Sequence, residues 1–160
     1  MVLIDNQKRN LFRRKSDLVI NNLMPWVRDT QHFVDNCTQC QDCLTSCPEK
    51  IIVKGDGGFP VVDFSLGECT FCRKCAESCE EDVFAETTQI PWLKKAAIND
   101  SCLANQNVAC RSCAESCPQE ALNFQIGINA IPQIDLEQCN GCGACFAPCP
   151  INAISIKEHR

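Results

Sequence analysis

The chain has 160 residues and a formal net charge of −5. That length suits one compact domain or two very small ones, and positive charge this sparse argues against nucleic-acid binding. No segment approaches the ~18 consecutive apolar residues of a membrane span, and with eight Phe, two Trp and no Tyr there is little large apolar surface for a core.

Residues 1–30 carry six Lys/Arg against three Asp/Glu, whereas 31–160 carry nine against seventeen. No apolar run follows the basic stretch, so a secretory signal is not expected. Arg13–Arg14 invites a twin-arginine reading, but Lys15, Ser16 and Asp17 follow, then Asn21 and Asn22, where such a signal needs an apolar stretch. The expectation is a cytoplasmic protein with a basic N-terminal extension over 1–30. Thiols persist in that compartment, and clustered cysteines there usually bind metal.

Sixteen cysteines then follow in four groups: Cys37/40/43/47, Cys69/72/75/79, Cys102/110/113/117 and Cys139/142/145/149. Every cysteine of group one recurs in group two at one constant offset, from Cys37 and Cys69 through Cys47 and Cys79. The same offset carries Cys110 to Cys142 and Cys117 to Cys149. A second, longer offset relates the two halves, taking Cys40 to Cys110, Cys47 to Cys117 and the whole of group two to group four. Cys102 is the exception, since Asn107 stands where the repeat calls for Cys. A short β-prone run follows each group: Pro48–Val53, Asp82–Ala85, Ala121–Phe124 and Ala153–Ile156. The first and third runs meet glycine turns at Gly55–Gly58 and Gly127–Asn129. Second runs at Phe59–Asp63 and Ile131–Asp135 complete an expected hairpin in each half. Helical turns are expected after the third Cys of a group, as at Ala76–Ser78 and Ala114–Ser116. The domains read as 31–86 and 102–160, joined by a linker over 87–101 whose Pro91 and Trp92 are expected to pack against a neighbouring half.

Three cysteines at C-x2-C-x2-C place three thiolates on one tight loop, suited to three corners of an Fe4S4 cube. In C-x2-C-x2-C-x3-C-P the fourth Cys serves the other cluster of a two-cluster unit. Four [4Fe–4S] clusters follow: Cys37, Cys40, Cys43 with Cys79; Cys69, Cys72, Cys75 with Cys47; Cys102, Cys110, Cys113 with Cys149; and Cys139, Cys142, Cys145 with Cys117. A four-thiolate zinc site has no role for the third Cys of such a loop, and disulfide partners at this spacing would compete. Asn140-Gly141 and Gly143-Ala144 let backbone N–H groups approach the sulfides. Pro48, Pro118 and Pro150 turn the chain away, and Glu80 takes that place in group two. The stretch between Cys102 and Cys110 is longer than its counterparts. A longer loop costs only about 0.6 kcal/mol per doubling, so a complete cube and an incomplete three-iron cluster both stay open there. Loading four clusters, each near −2 with its thiolates, would take the formal charge to about −13. The basic N-terminal segment could then dock an acidic partner; a solvated tail is the plain alternative.

His32 and His159 have no catalytic motif around them and read as surface residues, and neither a phosphate-binding nor a dinucleotide loop is present. No enzyme is expected. The two-by-two arrangement resembles the bacterial ferredoxins. More narrowly, the C-x7-C-x2-C-x3-C third group and closing Cys139-Asn-Gly-Cys142-Gly-Ala-Cys145 resemble the NapF family, ferredoxin-type proteins encoded with periplasmic nitrate reductase. Pro25-Trp26, the basic segment Lys8–Lys15 and Gly57-Gly-Phe-Pro60 support the likeness. The resemblance implies an α+β fold of tandem, pseudo-symmetric ferredoxin-like 2[4Fe–4S] units. It also implies a cytoplasmic accessory protein that acts on the precursor of the reductase catalytic subunit before export, through electron transfer or support of cluster assembly. A generic electron carrier between a quinol or soluble donor and a reductase is the alternative.

Overall fold

The computed structural model describes residues 22–124 and 130–159. Most of the expected extension, residues 1–21, and the expected Gly127–Asn129 turn lie outside the described residues. Of the described residues, those through Asp63 together with Arg73–Gln89 form one compact unit, and Phe64–Cys72 together with those from Ile90 onward form another.

The first unit starts earlier than a boundary at residue 30. Leu23, Met24 and Trp26 are buried, because the apolar run they belong to is too large to leave in water. Val27 bridges Phe84, and the Ala85 N–H donates to the Trp26 carbonyl at 2.6 Å. Helix α1 (Thr30–Asn36) follows, its first turn capped by the Asp29 carboxylate, which accepts from the His32 N–H at 2.8 Å. Its Phe33 is fully buried against Phe59. Helix α2 (Asp42–Ser46) leads to the antiparallel hairpin of β1 (Ile52–Lys54) and β2 (Pro60–Val62). Gly57 (φ 70°) and Gly58 (φ 88°) supply the left-handed backbone of its turn. Helix α3 (Lys74–Glu77) packs against α2. Helical turns thus begin one residue before the third Cys, at Asp42 and Lys74, and not after it.

In the second unit, the stretch expected to be a linker carries β3 (Lys94–Ile98). Helix α4 (Ser112–Glu115), β4 (Leu122–Phe124), β5 (Pro132–Ile134) and β6 (Ile154–Glu158) follow. Strands β4 and β5 form the expected second hairpin, while β3 pairs antiparallel with β6, Ala96 facing Ile156 and Ile98 facing Ile154. The core holds Ala96, Ala121, Leu122 and Ile154 together with Cys113, Cys139 and Cys145. Cysteines fill positions that large side chains would take in an ordinary core, so packing alone gives this unit little stability. No helix among the described residues is long and apolar enough to cross a membrane.

Candidate iron–sulfur centres

Three of the loops around a second cysteine share an unusual backbone. Gln39 (φ 58°) and Gln41 (φ 71°) flank Cys40, Phe71 (φ 52°) and Arg73 (φ 68°) flank Cys72, and Gly141 (φ 73°) and Gly143 (φ 85°) flank Cys142. Left-handed residues on both sides of a cysteine turn successive N–H groups into a concavity suited to anions, a feature of many Fe–S sites. A non-glycine residue in that region costs about 1–2 kcal/mol. The first two loops bear this strain four times over, which fits a bound group that offsets it. Group three differs: the left-handed residue is Asn107 (φ 64°), and Arg111, after Cys110, has φ −134°.

A second backbone feature recurs three positions after the last Cys of groups one, three and four. Lys50, Glu120 and Asn152 are left-handed, and their N–H groups donate to the carbonyls of Cys47, Cys117 and Cys149 at 3.1–3.3 Å. Pro follows the Cys in all three. Group two has Glu80 there, and Asp82 is not left-handed.

Among the described residues, thiols wall three cavities. Cys37, Cys40, Cys43 and Cys79 line one in the first unit, about 350 Å³ of space partly open to solvent. In the second unit, Cys102, Cys110, Cys113 and Cys149 line another of about 350 Å³. Cys117, Cys139, Cys142 and Cys145 line a third of about 310 Å³. In each, three thiols come from one group and the fourth from its repeat partner. None of the sixteen cysteines is joined in a disulfide. Among the described residues, no three Cys, His, Asp or Glu side chains converge closely enough to hold a single metal ion. The thiols surround a space instead of a point, so the donor set fits an iron–sulfur cube better than a lone zinc. Of the remaining set, Cys69 and Cys72 belong to the second unit and the buried Cys75 and Cys47 to the first.

Burial pushes the Cys43 and Cys145 thiols up to about 12 and Cys113 up to about 11. Neighbouring thiols add to it: Cys37, Cys40 and Cys79 act on Cys43, Cys142, Cys139 and Cys117 on Cys145, and Cys102 and Cys110 on Cys113. Cys37, Cys79 and Cys142 are raised too, again first by burial. Such groups are inert thiols until a metal displaces the proton.

Strand β3 brings further groups to the Cys139 loop. The Ala96 N–H donates to Cys139 Sγ at 3.4 Å, and Lys95 Nζ donates to the Cys139 carbonyl. Lys94 is only 4 % exposed, its ammonium 4.9 Å from the centre of the Trp92 ring. Burial lowers its pKa to about 8, against the opposing pull of Glu158. The Ala153 N–H similarly donates to Cys149 Sγ at 3.2 Å. Sequence reasoning missed the lysines and the left-handed pairs. Phe71 and Arg73 occupy the places that Gly141 and Gly143 hold in the other half, and that repeat equivalence is the signal that marks them. His32, half-buried, contacts the Asp82 carbonyl at 2.6 Å and ties α1 to the chain near Phe84.

The family described as "4Fe-4S dicluster domain" matches residues 36–84, and a second family of the same description matches 108–159, starting after Cys102. The fold and the cysteine loops are those of a tandem [4Fe–4S] ferredoxin-type protein. The chain is 42% identical over 158 residues to the "Ferredoxin-type protein NapF" of Haemophilus influenzae, spanning 98% of this chain and 85% of the relative. It is 39% identical over 157 residues to the protein of the same name in Escherichia coli, spanning 96% of each. The chain belongs to the NapF family of ferredoxin-type proteins.

Proposed function

We propose that the chain carries four [4Fe–4S] clusters and serves the periplasmic nitrate reductase system from the cytoplasm. There it assists maturation of the precursor of the catalytic subunit before export and has no catalytic turnover of its own. The observation that carries this reading is the set of three cavities, each walled by four thiols drawn from two repeat-related groups. The ligand sets are Cys37, Cys40, Cys43 and Cys79; Cys102, Cys110, Cys113 and Cys149; and Cys139, Cys142, Cys145 and Cys117, with Cys69, Cys72, Cys75 and Cys47 as the fourth by the same exchange. A bound cluster supplies a centre that accepts and returns one electron at a time. The left-handed loops would present N–H groups to it.

Support for a pseudo-twofold in the first unit comes from the repeat-related Ser46 and Ser78, whose hydroxyls meet at 3.0 Å. A generic carrier between a quinol or soluble donor and a reductase is the second reading, favoured by the number of thiol-walled cavities, which serve electron movement with any partner.

Capture of the catalytic-subunit precursor tests the choice. The full chain should retain the precursor in preference to unrelated exported proteins, and removing residues 1–21, which leaves the buried Leu23, Met24 and Trp26 in place, should weaken that preference. Absence of any preference would count against maturation and for the generic carrier. If Cys→Ser variants that cannot load clusters still support nitrate reduction in cells, electron delivery is not the essential role.

A further inference from the structure

The Cys69 N–H donates to the Cys142 carbonyl at 2.8 Å, a direct backbone link between the C-x2-C-x2-C loops of groups two and four. These residues lie in different dicluster matches, 36–84 and 108–159, yet the link falls wholly inside the second compact unit. Three aromatic rings reinforce it. Phe71, between Cys69 and Cys72, meets Trp92 edge to face with centroids 5.5 Å apart. Trp92 Nε1 donates to the Asn140 carbonyl at 2.9 Å, between Cys139 and Cys142. Phe64 also meets Trp92 edge to face, at 6.0 Å, and lies against Gly143, where any added Cβ would strike its ring.

We infer that Trp92 is a positioning residue that clamps the Cys69–Cys72 loop onto the Cys139–Cys142 loop, making this contact the crossing for electrons between the two dicluster domains. The inference rests on the cluster-bearing reading above and adds where the two repeats communicate. Electron tunnelling weakens steeply with distance, and bonded and hydrogen-bonded links carry it better than gaps. A backbone hydrogen bond between two ligand loops is therefore a favoured route, and a wedge of rings that holds the loops at contact distance sets its efficiency. The exchange takes one electron from the reduced side and gives it to the oxidised side; no bond forms or breaks and no proton moves. Glu68, which acts electrostatically on Cys142, is an acidic group beside the crossing. Phe71 costs the fold a left-handed bulky residue (φ 52°), and its contact with Trp92 accounts for a large ring at that position.

Two measurements on the full chain test the inference. Hydrogen exchange of the Cys69 amide reads the clamp itself. Trp92→Ala should speed it by about tenfold or more, while Trp92→Phe, which keeps a ring but loses the bond to Asn140, should have a smaller effect. EPR of the fully reduced protein reads the consequence. Wild type should show magnetic interaction extending across both domains, and Trp92→Ala should reduce it to the patterns of two independent pairs at unchanged iron content. Should Trp92→Ala load poorly, Trp92→Phe decides, with a partial loss of the cross-domain interaction expected. Unchanged amide exchange in both variants, or unchanged cross-domain interaction in the variant that retains its iron, overturns the inference. A wild-type chain that binds no iron and sulfide overturns the cluster-bearing reading instead, while the exchange result still judges the clamp.

Discussion

The Ser46 hydroxyl oxygen lies 3.0 Å from that of Ser78, and the two residues are repeat equivalents. Each serine also reaches the carbonyl of the third Cys in its own loop, Cys43 or Cys75, at 3.2 Å. A hydroxyl has one proton, so one serine donates to the other while its partner donates to its own carbonyl. The contact joins α2 to α3, the short helices that begin within the two Cys loops. A hydrogen bond of this kind contributes about 1 kcal/mol. Ser46→Ala and Ser78→Ala should each lower stability by roughly that amount, and the double variant by clearly less than the sum, as read by a double-mutant cycle in denaturant. Strict additivity would show that the two hydroxyls do not act on each other.

The loop backbones predict opposite effects of glycine in different repeats. Arg73→Gly relieves a left-handed residue and should be neutral or stabilising by up to about 1 kcal/mol. Gly141→Ala must push a Cβ into the Lys94 carbonyl and should reduce iron content by about one cluster's worth. Denaturant unfolding of the first variant and iron quantitation on the second check the pair. Full loading of Gly141→Ala would show that the loop tolerates the shift.

Lys95 places a positive charge on the Cys139 carbonyl. Positive charge near a cluster favours its reduced form, so Lys95→Met should lower one reduction potential by on the order of tens of millivolts and leave the others in place. EPR-monitored redox titration reads this, and a uniform shift of all centres would contradict a local effect.

Loading is linked to pH through the raised thiols. Cys43 and Cys145, pushed up to about 12, and Cys113, pushed up to about 11, hold their protons throughout the neutral range in the cluster-free chain. Iron binds thiolate, so each of these ligands gives up a proton on loading, and loading is disfavoured as pH falls. Reconstitution in weak buffer should acidify the solution, and cluster occupancy at limiting iron should rise between about pH 6 and about pH 8. Loading without proton release would show that the thiols were already ionised.

The repeats and the first hairpin are legible in the sequence. The two constant offsets between cysteine groups placed the repeats, and Gly57 and Gly58 marked the first hairpin because their left-handed turn admits few other residues. Strand β3 was not legible. Lys94-Lys95-Ala96-Ala97 has weak strand propensity, and its partner β6 lies at the far end of the chain, so only tertiary pairing creates it. Residues 23–28 read as part of a basic tail, yet the burial of Met24 and Trp26 makes them core. The left-handed Gln39, Gln41, Phe71 and Arg73 were hidden for a related reason: none has a propensity for that backbone, and the strain is accepted where the loop must face a cluster. The division of group two between the units also follows from contacts local spacing does not report, since Phe64 and Phe71 bind Trp92.

The claim on which the rest depends is that sixteen cysteines hold four cubes. Iron and acid-labile sulfide, measured per chain on protein isolated without oxygen, test it most directly. The account predicts about sixteen of each, with Cys102→Ser losing iron only from the third site. Wild-type protein with about twelve irons or fewer, or with zinc and almost no sulfide, would contradict it.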